Sequence, residues 1–170
     1  MADLASGLDE VLESWRDVRN GIVEEVENIP ANQFDFRPTA DVRSVREQVR
    51  HILEVAMMMT GEFTRPDTNL RRAPWPKLLA RYAKPAYRAQ TKRQLVALLR
   101  LQIKDAERKF RAQGELALYQ FHTRFDGKRG TKLAWVQHGI AQEWYHRGQL
   151  ALYARLLGLV PALTQRIRGG

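Results

Sequence analysis

The chain contains no cysteine, so imidazole, carboxylate and amide side chains are left to hold a metal ion or move a proton. Disulfides, thiolate ligands and a cysteine nucleophile are excluded. The four histidines are His51, His122, His138 and His146. His138, Gln142 and His146 follow one another at four-residue steps, a spacing that stacks side chains on one helical face. A metal needs ligand atoms that converge to about 2 Å from one point, which paired side chains four apart achieve. Side chains eight apart lie ~12 Å apart along the axis, so His138 and His146 do not share an ion. A mononuclear site uses Gln142 with either His138 or His146, and its third ligand comes from another element, with His51 the first candidate. Glu143 with His146, at three-residue spacing, is the carboxylate alternative seen in other bundles. It needs further acids from facing helices, and Glu47, Glu54 and Glu62 read more readily as solvated or salt-bridged. A lone histidine on a half-buried helix is more often a hydrogen-bonded core residue than a ligand.

Four long segments of helical period must position these groups. Leu4, Leu8, Val11, Trp15, Val18, Ile22 and Val26 draw one apolar stripe over Leu4 to Val26, which Pro30 stops. Asn28 to Pro38 reads as a loop. The second helix runs from Val45 to Phe63, with Ser44 as cap and Glu47 in capping-box position. Pro66, Pro74, Pro76 and Pro85 predict a long irregular link with one short helix around Leu78 to Tyr82. The third runs from Lys92 to Gln113, with Thr91 and Gln94 as a second capping box, and Gly114 ends it. Leu116 to Gly130 reads as an irregular link. A hairpin about Phe125-Asp126-Gly127-Lys128 is disfavoured there, because no other part of the chain alternates with period two. The fourth runs from Thr131 to Leu157 and is apolar on two sides: Leu133, Val136, Ile140 and Trp144 on one, Trp135, Leu150, Tyr153 and Leu157 on the other. Such a helix belongs in the core or in an interface between chains. Gly158 and Pro161 close it, and Arg168 to Gly170 read as a frayed end. The expectation is an all-α fold, a four-helix bundle in a single domain over residues 1–170.

At 170 residues and 44% apolar, the chain is long enough for a substantial core. No apolar run approaches the roughly 18 residues of a membrane span, and the acidic start, Met1 to Glu10, does not read as a signal peptide. A cytoplasmic location and no membrane partner are the expectations. The net charge of +9 and the pI of about 10.2 permit anionic partners. No block of five or six like charges occurs, so scattered solvated cations are the plainer reading.

Phe36-Arg37-Pro38, Ser44-Val45 leading to His51-Ile52, and the run from His138 through Gln142-Glu143 to His146-Arg147-Gly148-Gln149-Leu150 together carry a resemblance. Tyr153, Arg155, Leu157-Gly158 and Pro161 complete it. Over nearly its whole length the chain resembles the DinB/YfiT-like group of metal-binding four-helix proteins. The resemblance implies a bundle holding one divalent ion, often nickel or zinc, on three histidines: one from the second helix and two, four residues apart, from the last. His51 and His146 match two of these positions, and the third falls on Gln142, which is a departure. His138 and Glu143 are candidates to support the ligands. The resemblance implies a metal-dependent thiol S-transferase or hydrolase acting on a small-molecule substrate, with any thiol supplied as a low-molecular-weight cosubstrate. It singles out no catalytic residue beyond the ligands. By analogy it also implies a homodimer.

A second reading is a stress-response or nucleic-acid-binding protein whose metal site has lapsed at Gln142. Arg71, Arg72, Arg81, Lys84, Arg88, Lys92 and Arg93 would contact phosphates, with Trp75, Tyr82 and Tyr87 interleaved for stacking. The plainer account of the same residues is a solvated link whose aromatics cover the core.

Overall fold

The computed structural model describes residues 6–169. Four long helices form the bundle: α1 (Gly7–Asn28), α2 (Val45–Phe63), α5 (Lys92–Gln113) and α6 (Lys132–Leu156). Two short helices, α3 (Trp75–Tyr82) and α4 (Lys84–Arg88), lie in the link between α2 and α5, and α7 (Ala162–Arg168) follows α6. The chain is a helical bundle, as its periodicity predicts. The expected start at Leu4 lies outside the described residues; within them, Ser6 caps α1 by accepting from the Asp9 amide.

The ends of α2 and α5 fall where the caps place them. Both capping boxes close, with Ser44 and Glu47 on α2 and Thr91 and Gln94 on α5. These reciprocal bonds satisfy amides that a helix start leaves unpaired. Gly114 then takes a positive φ of 76°, which ends α5.

α1 packs against α6 and α5, and α2 against α5 and α6, so α1 and α2 stand at opposite corners of the bundle. The predicted α1 stripe faces inward, with Leu8, Trp15, Val18, Ile22 and Val26 buried and Val11 half-buried, and Val49 and Ile52 of α2 and Leu95 and Leu99 of α5 are buried with it. At Gly139 a Cβ would stand 2.0 Å from Met59 Sδ, so this glycine lets α6 close on α2 beside the site.

Three local expectations are corrected. The disfavoured hairpin forms: β1 (Phe121–Thr123) and β2 (Arg129–Thr131) pair antiparallel, with His122 opposite Gly130. Gly127 supplies the positive φ of its turn, and the Leu70 amide donates to Thr123 O at 2.9 Å, which ties the hairpin to the link after α2. The short helix of that link starts at Trp75 rather than Leu78, because Pro74 and Pro76 fit a helix start. α6 ends before Gly158 and Pro161 as expected, but the tail beyond is ordered to Arg168: Pro161 precedes α7, whose first amides donate to the Glu25 carboxylate at 2.9 and 3.2 Å. Among the described residues, no helix is long and apolar enough to cross a membrane.

Candidate metal centre

α2 and α6 bring His51, Gln142 and His146 together. Gln142 Nε2 lies 3.2 Å from His51 Nε2 and 3.1 Å from His146 Nε2. The two imidazole rings stand perpendicular with centroids 5.0 Å apart. A glutamine amide carries two N–H donors, so it serves both ring nitrogens as acceptors. The outer nitrogens are then the protonated ones. His146 Nδ1 donates to Gln149 Oε1 at 2.7 Å with the Gln48 amide beside it, and His51 Nδ1 lies 3.6 Å from Glu54 Oε2. Both unprotonated Nε2 atoms therefore face the same point, and each ring is oriented from behind, the arrangement that metal-ligating histidines use.

The donor set fits a divalent ion. Ligand atoms of a tetrahedral zinc site with bonds of about 2.0–2.1 Å stand roughly 3.4 Å from one another, close to the 3.2 and 3.1 Å at which the end of the Gln142 amide meets the two rings, should its oxygen take the place of its nitrogen. Gln142 Oε1 is buried and has no hydrogen-bond partner. A half-turn of the amide brings that oxygen toward both rings. Burial pushes the His146 pKa below the usual imidazole value, with the Gln149 contact opposing and His51 and Arg43 adding to the effect. The ring is thus neutral near pH 7, the form that ligates. Among the described residues, no group of three or more His, Cys, Asp or Glu side chains is placed to hold a metal; the third donor here is an amide.

The two expected supporting residues lie elsewhere. His138 is exposed and meets Trp135 edge to face at 4.9 Å. Eight residues at about 100° each leave it some 80° round the helix from His146. Glu143 is buried on the far side of α6, where Trp15 Nε1 donates to it at 2.7 Å and Arg19 Nε at 2.9 Å. Arg19 also donates to Gln102 Oε1 at 2.6 Å, and Gln102 donates to Thr60 Oγ1 at 2.9 Å. One buried polar chain thus crosses all four long helices and fixes the rotation of α6, which turns Gln142 toward His51. The groups that do back the histidines are Glu54, Gln48 and Gln149. Glu54 follows His51 and Gln149 follows His146 by three residues, a helical-neighbour spacing legible in the sequence.

The rest of the closing run has local reasons. Arg147 is buried against α1, where a Cβ on Gly21 would stand 2.2 Å from its guanidinium carbon, and its guanidinium lies 5.1 Å from the Trp144 ring centroid. Tyr153 donates to Arg43 O at 2.9 Å, tying α6 to the residue before the α2 cap.

Two spaces flank the trio. A cavity of about 460 Å³ lies on one side, lined by His51, Met58, Trp75, Trp135, His138 and Gln142 among others. On the other side of His51, an open cup of about 490 Å³ is lined by Arg37, Arg43, Arg50, Glu47, Glu54 and Tyr87 among others.

The expected basic patch is only partly free. Arg72 pairs with the buried Glu62, which also accepts from Tyr82 at 2.7 Å, and Lys92 donates to Glu27 O and Ile29 O. Trp75 lines the cavity rather than the surface. Arg71, Arg81, Lys84, Arg88 and Arg93 are exposed.

The DinB family model matches residues 1–168. Among solved structures, a DinB-like protein from Bacillus subtilis is 21% identical with a TM-score of 0.67, the match covering 88% of this chain and 92% of that one. YfiT from Bacillus subtilis, described as a probable metal-dependent hydrolase with an unusual four-helix bundle topology, is 17% identical with a TM-score of 0.70, covering 93% and 91%. A mycothiol-dependent maleylpyruvate isomerase variant is 12% identical with a TM-score of 0.66, covering 85% of this chain and 61% of that one. At these identities the likeness is one of fold. No curated protein matches the sequence.

Proposed function

The chain belongs to the DinB family, and from that premise we propose that it is a divalent-metal-dependent enzyme for small molecules, a thiol S-transferase before a hydrolase. The convergence of His51 Nε2, His146 Nε2 and the Gln142 amide carries this reading. These three residues would hold the ion, with nickel and zinc the candidates. When bound, the ion would act as a Lewis acid that makes a water or thiol nucleophilic near neutral pH. The protein's own groups do the rest. Gln149 accepts at the outer nitrogen of His146, and the Glu54 carboxylate stands near that of His51. Gln142 bridges the two rings by hydrogen bonds or turns its oxygen inward. The family neighbours point both ways on reaction type, one described as a probable hydrolase and one as a mycothiol-dependent isomerase.

The two flanking spaces favour a reaction of two partners. The cup carries Arg37, Arg43 and Arg50 beside Asp41, Glu47 and Glu54, so it offers both signs of charge to a low-molecular-weight thiol, and Arg43 lies close enough to influence both His146 and Tyr153. The chain has no cysteine to serve instead. A homodimer is proposed on the outer side of α6, where Tyr145, Leu152 and Leu156 are exposed at helical spacing; sedimentation equilibrium tests it. The experiment for the enzyme reading is elemental analysis of untagged protein purified without chelator, beside His51→Ala and His146→Ala. One ion per chain in the parent, lost in both variants, supports the reading. An ion content unchanged by either substitution removes it.

A further inference from the structure

The cavity on the α6 side of the trio has an unusual lining for so basic a chain. Lys and Arg make up 28 of 170 residues, and charged residues 28% of the whole. None of the cavity's lining residues is Asp, Glu, Lys or Arg. Its polar groups are two imidazoles and one amide, those of His51, His138 and Gln142; the rest of its wall is aliphatic, thioether or aromatic. A carboxylate, phosphate or ammonium set against these walls, away from the trio, would be stripped of water without a counter-charge, which is strongly unfavourable.

The aromatic part of the wall is ordered. Trp75 meets Phe125 edge to face at 4.5 Å, Phe125 meets Trp135 at 5.8 Å, and Trp135 meets His138 at 4.9 Å. The rings come from three separate elements: the start of α3, the hairpin turn and α6. Met58 and Met59 of α2 also line the space, and thioethers pack well against ring edges. The volume of about 460 Å³ lies within the range of small-molecule sites, and a lining of apolar groups with a few convergent polar ones is their usual character.

We infer that this cavity binds the uncharged, flat aromatic body of the substrate, with its polar reacting end toward His51 and Gln142. The orientation of the reacting end rests on the proposed metal site; the class of molecule accepted does not. Phosphates and other free anions are excluded from these walls.

The test uses 2-naphthamide as a neutral probe and 2-naphthoate as its anionic counterpart, titrated by calorimetry into the parent chain, the two compared in chelator-treated protein so that no ion offers the carboxylate a ligand position. Val55→Phe fills the cavity from α2, and Phe125→Ala removes one wall at a turn where the fold tolerates change; circular dichroism checks that each is folded. The expected result is saturable binding of 2-naphthamide, weakened at least about tenfold in Val55→Phe and several-fold in Phe125→Ala, with 2-naphthoate about tenfold weaker or worse. Absence of 2-naphthamide binding, equal or tighter binding of 2-naphthoate, or indifference to both substitutions overturns the inference. Metal content measured on the same samples separates the two ideas. A metal-free chain that binds 2-naphthamide as expected keeps the ligand class and loses the metal reading. A metal-loaded chain that does not bind it keeps the metal and loses the ligand class.

Discussion

Gln142 Nε2 lies 3.2 Å from His51 Nε2, so a side chain of α6 closes on one of α2 that precedes it by 91 residues. In this position the amide does two things that an imidazole would not. Its N–H groups satisfy the bare nitrogens of His51 and His146 when no ion is present, and its oxygen is a weaker ligand when one is. Both effects lower the affinity for a metal relative to a three-histidine site. Gln142→His is therefore expected to raise zinc affinity by on the order of tenfold or more, because it removes the competing hydrogen bonds and adds a stronger donor. Competition with a chromophoric chelator measures it. Equal affinity in parent and variant would mean that Gln142 is not at the ion.

The residues behind the rings should matter nearly as much as the ligands. Glu54→Gln weakens the acceptor near His51 Nδ1, and Gln149→Leu removes the acceptor 2.7 Å from His146 Nδ1. Each substitution is expected to lower zinc affinity about 10- to 100-fold while leaving the melting temperature of the metal-free protein nearly unchanged. The same substitutions without effect on affinity would show that the rings are held by packing alone.

How much of this was readable from the sequence depended on whether a signal was local. The bounds of α2 and α5 follow from Ser44 with Glu47 and Thr91 with Gln94, three residues apart in each case. The hairpin was not readable, because β1 and β2 are three residues each and that is too short to show period two. Its order comes from tertiary contacts, with His122 set against Phe63 at 5.1 Å and Trp135 at 6.1 Å. In the site, the step from Gln142 to His146 was visible, while the alignment of His51 with them was not, since it depends on how α2 and α6 are rotated. The place of Glu143 is hidden for the same reason: its partner Arg19 is 124 residues away, on a helix that the spacing of acids and histidines says nothing about.

That ion pair gives a stability prediction. The Arg19 and Glu143 side chains are 0% and 2% exposed, and Glu143 also accepts from Trp15. Glu143→Ala leaves a guanidinium buried without its counter-charge and is expected to destabilise the fold by about 3–5 kcal/mol. The paired replacement Arg19→Met with Glu143→Leu removes both charges and is expected to recover most of that loss. Urea unfolding of the three proteins measures it. A single substitution that costs no more than the double would show that Glu143 does not carry the charge balance of this chain of contacts.

His122 is 2% exposed, and neither ring nitrogen makes a hydrogen bond of good geometry, the nearest approach being that of the Gly130 backbone. Its ring lies between Phe63 and Trp135, with the Gly130 backbone opposite across the hairpin. Burial pushes its pKa down, the Gly130 backbone opposes this, and the charges of Lys132 and Arg124 add to it. The unfolded chain therefore binds a proton at His122 at a higher pH than the folded chain does. Stability contributed by the neutral ring is complete above the unfolded value of about 6.5 and is lost as pH falls from there through the lowered folded value. His122→Phe keeps an aromatic ring in the slot and cannot titrate. Its stability relative to the parent is expected to rise steadily between about pH 7 and pH 5, measured by urea midpoints at each pH. Parallel midpoint curves for the two proteins would mean that the ring takes up its proton equally in both states, and the acid sensitivity would then have to be sought in other groups.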